Sequence, residues 1–361
     1  MPSPTLPQPS LLLTPGQLLD VATRLLAAAG AGAEDAAQVA AHLVDANLAG
    51  HDSHGVGMIP QYVRAIRGGV LDPRAHAEVE DRGPAVLAVD GRRGFGQVVA
   101  SEAIRAGVAR ARDTGVALVA LRNASHVGRV GAYGLQAAAA GFASVHFVNV
   151  VGHGALVAPF GGSDARLSTN PICIAIPAAG GKPPVLLDFA TSRVALGKVR
   201  VALNRGEQVG EGVLIDAAGR PTTDPHVMFE EPRGAILPLG LHKGYGLALA
   251  CELLAGALCG GGTVPTVPHE PDRITNNMLS FVFDPARLPG FGRLGEELAA
   301  AVDHVKGSPP ADPAHPVLVA GEPELLARAG REAHGVPLER ATWDQLVEAG
   351  RSVGLALQAP A

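Results

Sequence analysis

The chain has 361 residues, of which 47% are hydrophobic, 17% charged and 4% aromatic, and its formal net charge is −5. That length and apolar fraction supply a large core in one large or two to three small lobes. The acidic balance and scarce aromatics exclude a basic nucleic-acid face and a stacking platform for single strands. Cys173, Cys251 and Cys259 follow no metal-ligand spacing, and an odd count leaves one unpaired, so they read as reduced, buried thiols.

Residues 1–10 are proline-rich with no basic run, and Leu11–Leu13 is too short for the apolar segment of a secretion signal. Thr14-Pro15 reads as a helix start, with Leu18, Leu19, Ala22, Leu25 and Leu26 at helical spacing. A second amphipathic helix spans about 34–48 and stops at Gly50. A histidine turn follows, H-D-S-H-G-V-G at 51–57, then a short helix over 59–67 closed by Gly68-Gly69. From Ala85 the texture becomes α/β. Strands are expected at 86–89, 116–121, 143–151 and 185–188, with helices at 98–112 and 131–140. A second histidine turn, N-A-S-H-V-G-R-V-G-A-Y-G, occupies 123–134. Residues 260–275 read as a long surface loop, and helices over 322–332 and 342–355 end the chain, with Thr342 as expected N-cap. The fold class predicted is α/β. Residues 81–304 form its core, and a discontinuous helical domain is built from 1–80 and 305–361. The longest apolar stretch, Tyr245–Leu258, contains Glu252 and falls short of the roughly 20 residues of a membrane span, so a cytoplasmic protein with no membrane partner is expected.

Few segments carry chemistry. Gly94-Phe95-Gly96 between a strand and a helix invites a dinucleotide reading, but Val99 stands where the third glycine belongs, and a structural turn is the better reading. His51 and His54 lack the third ligand and base of a catalytic metal site, so no metal is expected. His126 ends an apolar strand beside Gly128 and Gly131. It fits either a proton donor next to backbone N–H groups or a helix cap. Thr169-Asn170-Pro171 puts polar groups at a strand start. Asp188, at a strand end, fits a ribose or histidine holder as well as a cap. His242 and Lys243 open an apolar helix and fit either anion binding or a solvated helix start.

Taken together, D-S-H-G-V (52–56), S-H-V-G-R-V-G-A-Y (125–133), S-T-N-P (168–171), D-F-A-T-S (188–192) and H-K-G-Y-G-L-A-L-A-C-E-L-L-A-G-A-L-C-G-G (242–261) resemble the type-2 malate/L-lactate dehydrogenase family. The order is the family's, and H-D-S-H-G-V-G-M-I-P-Q-Y-V-R (51–64) with G-E-P (321–323) looks most like the hydroxycarboxylate dehydrogenase B branch. The resemblance implies an NAD(P)-dependent oxidoreductase of 2-hydroxy and 2-oxo acids, with NAD favoured and NADP not excluded. It also implies a non-Rossmann nucleotide-binding domain with a mostly antiparallel or mixed sheet, and a homodimer with the site near its interface. By position, His126 matches the acid/base, with His54 and Ser53 beside it. Gly128, Arg129, Val130, Leu186, Leu187, Asp188, His242, Lys243, Asn276, Gly321 and Glu322 match cofactor positions. Thr169 and Asn170 fall on the substrate side. Met58 stands where many relatives carry an arginine suited to gripping a carboxylate, and Arg129 is the expected replacement, as substrate grip or as cofactor ligand. Reduction of a cyclic imino acid, or nucleotide binding without catalysis, are the alternatives.

Overall fold

The computed structural model describes residues 10–358. Strand β1 (Ser10–Leu13) leads into helices α1 (Pro15–Ala28) and α2 (Ala33–Leu48), and two 3-10 turns, Asp52–His54 and Val56–Met58, run into α3 (Ile59–Arg67). Then come β2 (Glu78–Asp81), β3 (Val86–Asp90), α4 (Gly96–Thr114), β4 (Val116–Ser125), α5 (Gly131–Ala139), β5 (Ala143–Val151), β6 (Ile172–Ile176) and β7 (Val185–Phe189). Helix α6 (Leu196–Arg205) precedes three two-residue strands, β8 (Leu214–Ile215), β9 (Pro221–Thr222) and β10 (Ala235–Ile236). Helix α7 (His242–Cys251) continues as a π-helical turn over Glu252–Ala257, and β11 (Thr275–Phe283), α8 (Leu294–Lys306), α9 (Glu322–His334), β12 (Val336–Glu339) and α10 (Arg340–Ser352) complete the chain.

Seven strands make one sheet in the order β2-β3-β4-β11-β5-β6-β7. Only β3 and β4 pair in parallel; the other neighbours are antiparallel. The expected mostly antiparallel mixed sheet is therefore present. Helices α4 and α5 cover one face, and burial of Val119, Leu121, Ile104, Tyr133 and Met278 knits them to the sheet. A register shift between Asn276 and Met278 marks a bulge where β11 passes the end of β4, the kind of irregularity that re-aims side chains next to a site.

The N-terminal helices start as their residues dictate. Thr14 caps α1 through Gln17 in a reciprocal capping box with Pro15 in the first turn. Both chain ends share one core, in which Leu18, Leu25, Leu43 and Tyr62 pack with Val336, Trp343 and Leu346, and with Phe95 and Val98 from α4. Strand β1 pairs antiparallel with β12 and fastens the two ends. One boundary is corrected. Thr342 is not an N-cap, because α10 begins directly after β12 with Glu339 at its cap. The chain turns from strand to helix with no loop for Thr342 to close.

Candidate active site

Strand β4 runs four residues beyond the apolar run 116–121, and His126 follows its last residue. Its ring lies against that of His54, with centroids 5.5 Å apart and planes 19° from parallel. The Tyr62 hydroxyl is 2.8 Å from His126 Nδ1, and Gln97 Nε2 donates to that hydroxyl at 2.7 Å. Ser53 Oγ is 3.0 Å from His54 Nδ1. A Cβ on Gly197 of α6 would lie 2.6 Å from the Cβ of Ser53, so that helix start closes on the serine. Burial, then His54, His42 and His153, hold His126 well below the ordinary histidine range. Burial, then His51 and Arg129, bring His54 down to about 4. Two stacked rings in a dry setting resist carrying charge together, so both are neutral at pH 7.

The turn after His126 is fixed at each step. Val127 N donates to Asn276 Oδ1 at 2.9 Å, and Asn276 Nδ2 donates to Asn149 O at 3.0 Å. Gly128 has φ +72°, and a Cβ there would stand 2.6 Å from His42 Nε2, which accepts from Arg129 N. Only glycine gives this close approach without strain. Gly131 N donates to Asp188 Oδ2 at 2.6 Å at the mouth of α5, a helix-start site for a carboxylate. Burial pushes the Asp188 carboxyl up, opposed by that N–H and by Arg129. Val130 is buried in the core beneath.

Arg129 is almost fully buried. It donates to Asp45 Oδ2 at 2.7 Å, and Asp45 also pairs with Arg328 of α9. Its Nε has no hydrogen-bond partner. Met58 packs on the core of the terminal helices. Asn170 is buried and committed: its Nδ2 donates to Glu252 Oε2 at 2.7 Å and to Ala248 O at 3.1 Å, while Oδ1 accepts from Val150 N. Thr169 O accepts the N–H and hydroxyl of Thr191.

Leu186 and Gly321 approach each other, with Leu186 N donating to Ala320 O. A cavity of about 310 Å³ opens beside them, bordered by Lys182, Val185, Asp303, Lys306, Gly321 and Glu322. Leu187 is partly exposed. Glu322 pairs with Lys306 and accepts from Val319 N. His242 and Lys243 are exposed at the start of α7, His242 against Phe160. The structure thus gathers Ser53, His54, His126, Gly128–Val130, Asp188 and Asn276 in one contiguous neighbourhood. Leu186, Gly321 and Glu322 lie along the next strand edge, and His242 and Lys243 stand on a separate, exposed helix start. Tyr62, Gln97, His42 and Asp45 complete the cluster without a local motif of their own. Tyr62 lies eight residues after His54 within H-D-S-H-G-V-G-M-I-P-Q-Y-V-R (51–64), but nothing in that segment by itself marks it as a partner of His126. No group of three or more His, Cys, Asp or Glu side chains is placed to hold a metal ion among the described residues, and none of their helices is long and apolar enough to cross a membrane.

A neutral, stacked histidine pair at the end of a sheet strand, backed by glycine turns, is the equipment of an α/β enzyme that moves a proton at a small bound molecule. Residues 13–347 match the family described as malate/L-lactate dehydrogenase. The chain is 45% identical to hydroxycarboxylate dehydrogenase B of Escherichia coli (strain K12) over 328 residues, 90% of each chain. It is 40% identical to an L-lactate dehydrogenase of Cupriavidus necator over 338 residues, 93% of this chain and 96% of that one. The solved sulfolactate dehydrogenase of Methanocaldococcus jannaschii superposes with TM-score 0.84 at 33% identity, over 96% of this chain and 98% of the other. The chain belongs to the malate/L-lactate dehydrogenase family.

Proposed function

We propose that this protein is a nicotinamide-dependent oxidoreductase of 2-hydroxy and 2-oxo carboxylic acids, with His126 as its general acid and base. The observation that carries this reading is the anchoring of His126 through Nδ1 to Tyr62, which leaves Nε2 as the nitrogen free to exchange a proton with a substrate oxygen. Its neutral ring accepts the hydroxyl proton when a 2-hydroxy acid is oxidised, and as imidazolium it returns that proton to the carbonyl oxygen in reduction. Positioned acid–base chemistry of this kind contributes about 10²–10⁴-fold. Ser53 orients His54, and His54 walls the other side of the His126 ring.

The residues present fit a dinucleotide. The Gly128–Val130 turn and Asp188 supply N–H groups and a carboxyl. Gly131 keeps open a space that a Cβ would fill 2.8 Å from both Arg129 and Asp188, and the buried Arg129 Nε lacks a partner. Leu186, Leu187, Gly321 and Glu322 extend that line to the 310 Å³ cavity. A bound nicotinamide would supply or take up the hydride. The cofactor domain is non-Rossmann in this reading. It occupies 81–304 beside a helical domain from 1–80 and 305–361, and the mixed sheet and the shared terminal core support both parts. Arg129 serves the cofactor side, since one arm of its guanidinium is already committed to Asp45. NAD is the favoured cofactor. Exposed Leu249, Leu253 and Leu258 along α7 and its π-helical turn support a homodimer. Three free, buried cysteines support a cytoplasmic setting.

The test is a substrate survey followed at the nicotinamide absorbance band, with NADH and NADPH in turn. Alkyl and aryl 2-oxo acids, oxaloacetate and a piperideine carboxylate are offered side by side. Turnover of oxo acids is expected. Turnover of the cyclic imine alone would assign an imine reductase, and binding without turnover would assign a nucleotide-binding protein. For Arg129→Ala, a raised Michaelis constant for cofactor with an unchanged one for the acid is expected. The reverse result would make Arg129 the substrate grip.

A further inference from the structure

The sheet brings another histidine to the end where His126 stands. Thr275, the first residue of β11, pairs with Ser125 of β4 on one side and with Val151 of β5 on the other. His126 follows Ser125 by one residue and His153 follows Val151 by two, so both leave the sheet beside Thr275. Adjacent strands lie about 4.8 Å apart, and two such steps separate the strand ends by roughly 10 Å, a gap that two side chains and one small acid fill. After burial, His54 and His42, His153 is the next group that disfavours charge on the His126 ring, so the two rings lie within electrostatic reach. A Cβ on Gly154 would meet nothing within 4 Å, so space is open beside this turn.

A 2-oxo acid brings a carboxylate into this space, and a carboxylate taken out of water needs a charged partner. Among the described residues the neighbouring arginines are committed: Arg129 to Asp45, Arg64 to Asp272, and Arg273 to Glu270 and Thr275. His54 is tied to Ser53, and His42 accepts from Arg129 N. His153 is differently placed. Its Nδ1 lies 2.6 Å from Gly154 O, and a carbonyl only accepts, so Nδ1 carries a proton. Nε2 of the neutral ring is then bare and takes the hydroxyl proton of buried Ser168 at 3.3 Å, a long bond that a better partner displaces.

We propose that His153 is the carboxylate grip of this site: its Nε2 takes up a proton as the acid binds, and the imidazolium donates to the acid's C1 carboxylate. The inference rests on the reading of the protein as an oxidoreductase of 2-oxo acids. One solvent proton enters with each acid and leaves with it, and Ser168 exchanges its bond to Nε2 for one to the carboxylate. Oxo and hydroxy acids carry the same carboxylate, so His153 keeps its charge through the transfer at His126 and takes no part in that step. In the free site the surroundings disfavour the cation. Burial holds His153 below the ordinary histidine range, against the Gly154 carbonyl and with help from His269, and His126 stands across the gap. Beyond Gly152, Glu270 and Arg273 pair with each other. The acid itself therefore supplies the negative charge that favours the imidazolium.

The experiment uses the full-length protein with NADH bound, and oxamate, an unreactive mimic of a 2-oxo acid, as the probe. In His126→Asn, which cannot take a proton at 126, calorimetry at pH 8 in buffers of different ionisation enthalpy should still show about one proton taken up per oxamate. Adding His153→Gln should abolish that uptake. In otherwise wild-type protein, His153→Gln should raise the Michaelis constant of the best 2-oxo acid roughly 10–100-fold, the worth of a hydrogen bond to a charged group, with the NADH dissociation constant unchanged. The methyl ester of the same acid has no carboxylate, and its turnover should not change, so the preference for acid over ester narrows by the same factor. Equal losses for acid and ester, or proton uptake that survives His153→Gln, would overturn the grip. Absence of oxo-acid turnover in wild type would instead remove the reading beneath it, while the oxamate titrations still judge His153 by themselves.

Discussion

The two histidine turns sit side by side yet are held by different mixtures of interaction. The turn at 51–57 opens under ionic contacts from α9, and its later residues rest on Asn47, whose buried Oδ1 accepts Val56 N. His51 Nε2 is 3.0 Å from Glu324, and Arg331 holds the Asp52 carboxylate at 2.6 and 2.9 Å. In the turn at 125–131 the backbone of 127–129 is fixed by buried, uncharged groups: Asn276 on Val127 N, His42 on Arg129 N, and Tyr133, whose hydroxyl donates to Val127 O, while Asp45 holds the Arg129 side chain and Asp188 holds Gly131 N. Half-exposed ion pairs contribute about 0–1 kcal/mol each and weaken with salt. An unmade hydrogen bond in a dry site costs about 1–3 kcal/mol. The backbone beside His126 thus has the more rigid mount, and the residues just before His54 the more adjustable one.

The most severe break of this contrast is His126→Asn. Turnover should fall by about 100-fold or more with cofactor affinity kept, and stopped-flow kinetics with a binding titration check both halves. Near-normal turnover would remove the acid–base role proposed for His126.

Acid should act on the buried side first. His146 lies fully buried between Ser144 and Ser280 and is held at about 4 by burial; His42 is also held at about 4. Their folded values lie below the unfolded one, so the unfolded chain binds protons that the native state refuses. Stability is complete above pH 6.5 and falls as pH drops toward 4, by roughly 3 kcal/mol for His146 alone. The charged side works in the same direction at lower pH, because His51 holds the Glu324 carboxyl below its ordinary range. Melting temperatures from pH 8 to 4 test this. A flat profile above pH 5 would contradict the neutral burial of these histidines.

Asn276→Leu should cost about 1–3 kcal/mol by leaving Val127 N–H unpaired, read as a lower denaturation midpoint, and should depress kcat. The smallest effect belongs to the charged mount. Arg331→Met should cost no more than about 1 kcal/mol, and the difference from wild type should shrink in high salt. A loss as large as that of Asn276→Leu would erase the distinction between the two mounts.

Much of this was legible in the residues. Thr14-Pro15 set the first helix, and the apolar periods of 18–26 and 34–48 set its partner. The run at 116–121 marked β4, although the strand continues to Ser125 because β11 supplies hydrogen bonds beside it. Strand β11 left little trace. Thr275, Asn276, Asn277 and Ser280 are buried polar residues within it, so it has neither an apolar run nor a clean alternation. Strands β1 and β12 are four residues each and exist only through each other. His54, His126 and Asp188 announced themselves by short motifs; Tyr62 shares a quoted segment with His54 but no local pattern ties it, or Gln97, to His126.

By itself, the sequence determined the helices, the glycine turns and the pair of histidines, because capping, periodicity and backbone freedom act over a few residues. Tertiary structure decided which side chains complete the histidines. Tyr62, Gln97, His42 and Asn276 come from three helices and a distant strand, and only packing brings them within hydrogen-bond reach. The same packing turned Gly96, in a turn fit for a phosphate, into a close contact with the backbone carbonyls of Ser125 and His126. Dry surroundings, which no local pattern records, keep that ring neutral.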